Sequence, residues 1–225
     1  MISFKGHRFE KTIILTCVRW YLAYPLSYRH LVEMMEERNL TVAPSTIYRW
    51  LQKFTPKLES AFRKKHKKPV VDRWRMDETY IKIKGEWRYL YRAVDTEGKT
   101  VDFLLTANRD KKAALRFFKK AISLHGRPDT VTIDKSGANI AALSDLNEGT
   151  TDKITIRQSK YLNNLVEQDH RAIKRIVRPV LGFKSFRSAR TTLQGIELMH
   201  MIKKGQMTEC TQVLLPAGQF YSLAA

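Results

Sequence analysis

Residues 74–107 read WRMDETYIKIKGEWRYLYRAVDTEGKTVDFLLTA, and this stretch decides the fold class. Three runs rich in aromatic and β-branched residues, Trp74 to Lys84, Trp87 to Asp95 and Thr100 to Ala107, are divided by turn signals at Gly85-Glu86 and Glu97-Gly98. Runs of that composition joined by glycine-containing turns predict consecutive hairpins, hence three antiparallel strands.

Beyond them, Asp110 is placed to cap a helix with Ala114, Phe117, Phe118, Ala121 and Leu124 on its inner face. Gly126 ends it and Pro128 lies past the end. Asp129 to Asp134 is a short apolar strand that follows a helix, so the sheet becomes mixed, and a second short strand is expected at Lys153 to Arg157. Helix returns from Asn164 to Arg178, stopped by Pro179, and again from Ser185 to Lys204. The order βββ-α-β-α-β-α predicts an α/β domain built on a mixed sheet.

The segment before the strands has a different texture. Residues 1–68 hold 14 Lys and Arg against 5 Asp and Glu, ending in the run Arg63-Lys64-Lys65-His66-Lys67-Lys68-Pro69. Helical patterns cover roughly Phe9 to Leu22, Ser27 to Arg38 and Ser45 to Phe54. The second and third predict a helix-turn-helix: Ser27 caps a helix with Leu31, Met34 and Met35 on one face, and Asn39 to Pro44 makes the turn. In the third helix Ile47, Trp50, Leu51 and Phe54 form the buried stripe, which leaves Thr46, Tyr48, Arg49 and Lys53 for a DNA groove and its phosphates. The expected division is a helical DNA-binding domain over 1–62, a basic linker over 63–72, an α/β core over 73–182, and a C-terminal helix and tail over 183–225 for packing or oligomerisation.

Of 225 residues, 43% are hydrophobic and 28% charged, enough apolar material for a core and too much for wholesale disorder. Lys and Arg total 41 against 22 Asp and Glu, a formal charge of +19 that points to a polyanionic partner, nucleic acid or an anionic membrane surface. The early apolar segment Thr12 to Leu26 is interrupted by Arg19 and is too short to span a bilayer. Glu10 and Lys11 precede an apolar run of only a few residues, which is not a signal-peptide profile. Cys17 and Cys210 lie far apart without metal-ligand spacing, so a reducing compartment, a bacterial-type cytoplasm or a nucleus, is expected rather than secretion.

Three acids stand where acids need a reason. Asp77 sits inside a strand, where Asp is depleted; Asp134 ends a buried-looking strand, where open α/β sheets place ligands; Glu167 lies on a helix. Hard divalent cations take carboxylate oxygens, and two of them about 4 Å apart can hold both the attacking and leaving oxygens of a phosphoryl displacement. Asp95 and Asp102, in neighbouring strands, compete for that role. Glu167, His170, Arg171, Lys174 and Arg178 fall on one face of their helix, with Leu165, Val166, Ala172, Ile173, Ile176 and Val177 on the other. From Arg171 to Arg190 there are seven Lys or Arg and no acid. A carboxylate followed by cations over successive turns suits a helix lying along a phosphate backbone; an ordinary solvated face has the same pattern.

An ordered set of short blocks narrows the choice: Phe4-Lys5-Gly6 with Phe9, Ser45 to Trp50, Met76 to Tyr80, Tyr89 to Asp95, Asp134-Lys135, Tyr161 with Asn163-Asn164, Glu167 with Asp169-His170, and Leu181 to Ser185. Together they resemble the DDE transposases of bacterial insertion sequences, nearest to insertion sequence family six, from residue 4 to about 206. The resemblance implies an RNase H-like mixed five-stranded sheet flanked by helices and preceded by a small all-α helix-turn-helix domain. It further implies Asp77, Asp134 and Glu167 as a catalytic, Mg²⁺-binding triad (Mn²⁺ a possible substitute), the last two 33 positions apart.

The helix-turn-helix would bind terminal inverted repeats, with no covalent protein–DNA bond. Lys174, seven residues after the glutamate, matches the basic residue such enzymes use near the DNA end, and His170, Arg171 and Arg178 would also meet phosphates. Partners implied are double-stranded DNA, as element end and as target, and a second copy of the chain, since joining two ends needs two active sites. The segment Ser136-Gly137-Ala138-Asn139 departs from the pattern by its glycine, and the tail after Met207 matches nothing in the family. The rival readings are a helix-turn-helix regulator whose α/β domain lacks nuclease activity, an inactive transposase relic, and a membrane-surface protein.

Overall fold

Residues 11–65 carry apolar positions at helical spacing and residues 73–106 carry alternating ones, and the computed structural model follows that switch. It describes residues 2–65, 67, 69–159, 164–207 and 215–225. The elements are α1 (Lys11–Ala23), α2 (Tyr28–Glu36), α3 (Pro44–Lys65), β1 (Arg73–Ile83), β2 (Glu86–Asp95), β3 (Thr100–Thr106), α4 (Lys111–His125), β4 (Thr130–Ile133), α5 (Gly137–Asn147), β5 (Thr155–Gln158), α6 (Asn164–Val177), α7 (Phe186–Lys203) and α8 (Pro216–Ser222). A 3₁₀ turn at Arg178–Val180, which contains Pro179, follows the end of α6 at Val177. Two compact units result, one of Met1–Lys68 with Ala172–Ala225, the other of Pro69–Arg171. This grouping differs from the expected four-part division: residues 172–225 fall with the N-terminal helices.

The first unit is helical. Ser27 caps α2 as its composition demands, its side chain accepting from the His30 amide while the His30 ring accepts from Ser27 N–H. Asn39 turns the chain with a left-handed φ of 57°. The third helix does not stop at Phe54. It runs on through Pro56 to Lys65, so residues 63–65 of the expected linker are helix.

A helix-interior proline costs about 3 kcal/mol. Leu58 and Phe62 extend the stripe of Ile47, Leu51 and Phe54 at full burial, and each such side chain contributes roughly 1.5–3 kcal/mol, enough to offset the break. α3 packs against α1 and α7. At Gly195 a Cβ would lie 2.4 Å from Leu22 and 2.7 Å from Thr55, so only glycine permits that approach. Leu193, Ile196, Leu198, Met199 and Ile202, which would be the apolar stripe of an oligomer interface on α7, are all buried inside the chain. Cys17 is buried as well, and burial pushes its thiol up to about 11. Cys210 and the Tyr161 and Asn163 block lie outside the described residues.

The second unit is built on one mixed sheet in the order β3-β2-β1-β4-β5. β1, β2 and β3 are antiparallel neighbours; β4 runs parallel to both β1 and β5. This is a mixed five-stranded sheet, as the resemblance implies. The β1–β2 hairpin turns on Lys84 and Gly85, both with positive φ, as a two-residue turn matching strand twist requires.

Trp74, Met76, Tyr91, Ala93, Val131 and Ile133 form one sheet face, and Ala114, Phe117, Phe118, Ala121, Ala142 and Leu143 of α4 and α5 share its core. Asp110 caps α4 through the Ala113 amide at 2.7 Å. Leu124, expected on the inner face, is half exposed because the buried stripe ends at Ala121. The helix between β4 and β5 begins at Gly137, where a Cβ would meet nothing within 4 Å, so the unexpected glycine fills no steric need.

Candidate active site

Strand alternation sends Asp77 and Glu78 to opposite faces of β1. Glu78 shares parity with core residues Trp74 and Met76, whereas Asp77 faces the side where His170 of α6 lies, with 3.7 Å between His170 Nδ1 and Asp77 Oδ2. Asp134 stands just past the end of β4, which runs parallel to β1. From there its carboxylate meets both: Asp77, Glu78 and Asp134 each offer an oxygen within 4.8 Å of the others. Among the described residues this is the acidic group that close. Glu167, exposed on the first turn of α6, stands further out but its charge still acts on Asp77.

Crowding shows in the protonation equilibrium of Asp77. Burial first, then the charges of Glu78, Asp134 and Glu167, push its carboxyl up from 3.8 to about 6. Glu78 is also raised by burial, but it is compensated: Asn139 Nδ2 donates to Oε1 at 3.0 Å and Arg109 Nη2 donates to Oε2 at 3.2 Å. The same Arg109 nitrogen reaches Asp134 Oδ2 at 3.2 Å, and the Ser136 amide donates to Asp134 Oδ1 at 3.1 Å. A converging set of carboxylate oxygens, one of them with its carboxyl raised by burial and by its acidic neighbours, suits a hard divalent cation, which would relieve the repulsion.

The competing acids have structural duties. Asp95 is fully buried and accepts from the amides of Glu97, Lys99 and Val71, which locks the β2–β3 turn. Asp102 is fully buried and pairs with Lys120 at 2.9 Å.

Of the predicted DNA contacts, Tyr48, Arg49 and Lys53 are exposed on α3 and Thr46 lies beside them, its hydroxyl accepting from Arg49. Arg171, Lys174 and Arg178 are exposed. His170 is corrected: only 4% exposed, it does not share their wet face. Val166, His170 and Ile173 recur at i, i+4 and i+7, so His170 belongs to the buried stripe of α6, over the sheet face that bears Asp77.

Arg92 opposes Asp77 in the β1–β2 register, is wholly buried, and pairs with Asp169 of α6 at 2.7 Å. Composition did not mark Glu78, Arg109, Asn139 or the Arg92–Asp169 pair as functional. A buried charge in a central strand was the available signal for Glu78 and Arg92.

A DDE domain family profile matches residues 71–206, which spans β1 through α7 and contains all four acids. The chain belongs to the DDE transposases, of the insertion-sequence-family-six type. Among its relatives, the transposase for insertion sequence-like element IS431mec of Staphylococcus aureus is 44% identical over 205 residues, 91% of this chain and 90% of that one. The transposase for insertion sequence element IS257 in transposon Tn4003, also of Staphylococcus aureus, is 43% identical over the same extent. Among solved structures, the HTLV-2 integrase catalytic core domain in complex with magnesium is 20% identical, with a TM-score of 0.46 over 58% of this chain and 86% of that one. The catalytic core of BIV integrase is 14% identical, with a TM-score of 0.42 over 66% and 93%. The enzyme is a divalent-metal-dependent transposase. Among the described residues no helix is long and apolar enough to cross a membrane.

Proposed function

We propose that this transposase cuts and rejoins DNA at the terminal inverted repeats of an insertion sequence, using Asp77, Asp134 and Glu167 to hold Mg²⁺, with Mn²⁺ a workable substitute. The observation that carries the reading is the convergence of Asp77 and Asp134 from two parallel strands, with Glu167 close enough to perturb Asp77. When bound, the paired ions supply Lewis-acid activation of water or a 3′-hydroxyl and neutralise charge on the leaving oxygen.

The chain's own residues do the rest. Asp77 and Asp134 fix one side of the site on the rigid sheet, and Glu167 closes it from α6. His170 and the Arg92–Asp169 pair hold the first half of α6 over Asp77. Glu78 is engaged by the side chains of Asn139 and Arg109, which supports a positioning role for it. Hydrolysis of a phosphodiester frees a 3′-hydroxyl at the element end and leaves a 5′-phosphate on the flank; in-line attack of that hydroxyl on a target phosphodiester then breaks the target's P–O3′ bond, whose oxygen leaves as a 3′-hydroxyl, and joins the strands without a protein–DNA bond.

The exposed faces support the DNA contacts. Thr46, Tyr48, Arg49 and Lys53 on α3 are read as the groove and backbone contacts of the helix-turn-helix, and Arg171, Lys174 and Arg178 as phosphate contacts beyond Glu167. A second copy is required to join two ends, so the active form is a homodimer or larger assembly on DNA. A cytoplasmic, nucleoid-bound protein follows from that partner.

The test is strand transfer of inverted-repeat duplexes with Mg²⁺, Mn²⁺ or EDTA. Activity is expected with either metal and absent with chelator. Glu167→Gln should lose more than the roughly 10–100-fold that outer partners of metal ligands are worth. Undiminished activity in that variant would remove Glu167 from the triad.

A further inference from the structure

Helix α4 carries five cations, and they divide into two groups. Lys111 pairs with Asp145 at 2.8 Å and Lys120 with Asp102 at 2.9 Å. Lys112, Arg116 and Lys119 are exposed and pair with no acid among the described residues. They recur at i, i+4 and i+7, so they share one face of the helix. That face borders a cleft of about 540 Å³, whose polar lining also includes Thr106, Asn108 and Asp110. Asp110 is the one acid there, and its Oδ1 is engaged by the Ala113 amide. Between Asn108 and Asp110 in the chain stands Arg109, whose guanidinium touches Asp134. The cationic cleft therefore starts one residue from a group in contact with the acidic cluster.

Lys112 to Lys119 spans about 10 Å at 1.5 Å per residue, and phosphates of one DNA strand recur about every 3.4 Å along the duplex axis. Three cations over that length match roughly three successive phosphates. We infer that the Lys112–Arg116–Lys119 face of α4 is a second DNA-binding surface, which tracks the phosphate backbone of a duplex passing the catalytic carboxylates and reads no bases. Unpaired, exposed cations on a rigid helix carry the inference: the paired ones beside them hold the fold, and these three do not. The inference rests on the DNA-directed reading above and adds a contact outside both the helix-turn-helix and α6.

The test compares the full-length chain with the triple variant Lys112→Ala/Arg116→Ala/Lys119→Ala and a charge-matched control, Lys82→Ala/Lys84→Ala/Lys153→Ala. Affinity is measured for inverted-repeat and random-sequence duplexes across a salt series. Each phosphate contact contributes about 0.9 to the slope of log K against log salt. The α4 variant should lose about 2–3 from that slope, so that its deficit in affinity widens roughly 15- to 65-fold as salt falls from about 0.2 M to 0.05 M, equally on both sequences, with an unchanged melting temperature.

The control should lose less than one from the slope. Equal losses in variant and control would reduce the effect to net charge and overturn the assignment, and a loss confined to the inverted-repeat duplex would overturn the backbone-only reading. If the unaltered chain binds no duplex, the DNA-directed reading itself fails, a result distinct from either.

Discussion

Asp77→Asn should abolish strand transfer, by ~10³-fold or more, while making the metal-free protein more stable at neutral pH. The loss follows from its position: its carboxylate converges with those of Glu78 and Asp134, and removal of a group that fixes several kcal/mol of metal-borne charge stabilisation costs about tenfold per 1.4 kcal/mol. The gain follows from burial of the Asp77 carboxyl first and from the neighbouring acids second. In the fold the Asp77 carboxyl titrates at about 6, against 3.8 ordinarily, so the folded state holds its proton more tightly than the unfolded one. Below about pH 4 both states are protonated and the shift has no consequence. Between 4 and 6 the unfolded chain ionises first and stability falls; above 6 the full deficit remains. A carboxamide at this position cannot titrate, so this part of the decline disappears in the variant. Denaturation in EDTA at pH 4, 5, 6 and 7 measures it: the two proteins should diverge upward through that window, with the variant the more stable. Parallel curves would mean that neither burial nor the neighbouring acids raise the Asp77 carboxyl.

The second large effect is expected at Arg92. Arg92→Ala should destabilise the protein by about 3–5 kcal/mol, the usual cost of leaving one partner of a buried ion pair without its counter-charge. Arg92 is wholly buried and Asp169 nearly so, so water cannot take over the lost contact. The pair also pins the N-terminal half of α6, the half that carries Glu167, to the strand beside Asp77.

Stability and activity should therefore separate in a double variant. Replacing both partners by apolar residues, Arg92→Met with Asp169→Leu, should recover most of the stability while strand transfer stays low. Urea denaturation and the strand-transfer assay read the two quantities. Full recovery of activity in the double variant would reduce the pair to a packing element.

The hairpin strands were legible because Gly85 and Gly98 lie where the chain must adopt positive φ, at 82° and 79°, between runs that alternate on both sides. Asp110 and Ser27 announced two helix starts through the amides they cap. The end of α3 was not legible. Local chemistry at Pro56 argues for a stop, and only the burial of Leu58 and Phe62 among residues far along the chain overrides it.

Three acids stand out in the sequence as needing a reason, yet alternation along β1 hides Glu78, since neighbours on a strand point to opposite faces. Asp134, placed beyond the end of β4, is what brings both within reach. Helical spacing by itself leaves His170 ambiguous between two stripes. Its spacing from Glu167 suits the wet face, while its spacing from Val166 and Ile173 suits the buried one, and contact with Asp77 decides between them. The cleft on α4 left no mark in composition, because separating its paired from its unpaired cations requires Asp102 and Asp145 in space.

The most direct measurement is a Mn²⁺-soaked crystal of the DNA complex, with the metal located by its anomalous scattering. Asp77 and Asp134 should both ligate the same ion, at about the 2.1 Å usual for a small divalent cation held by oxygen, with Glu167 on it or on a second ion about 4 Å away. Manganese bound instead by Glu78, or an anomalous map with no peak between Asp77 and Asp134, would contradict the account.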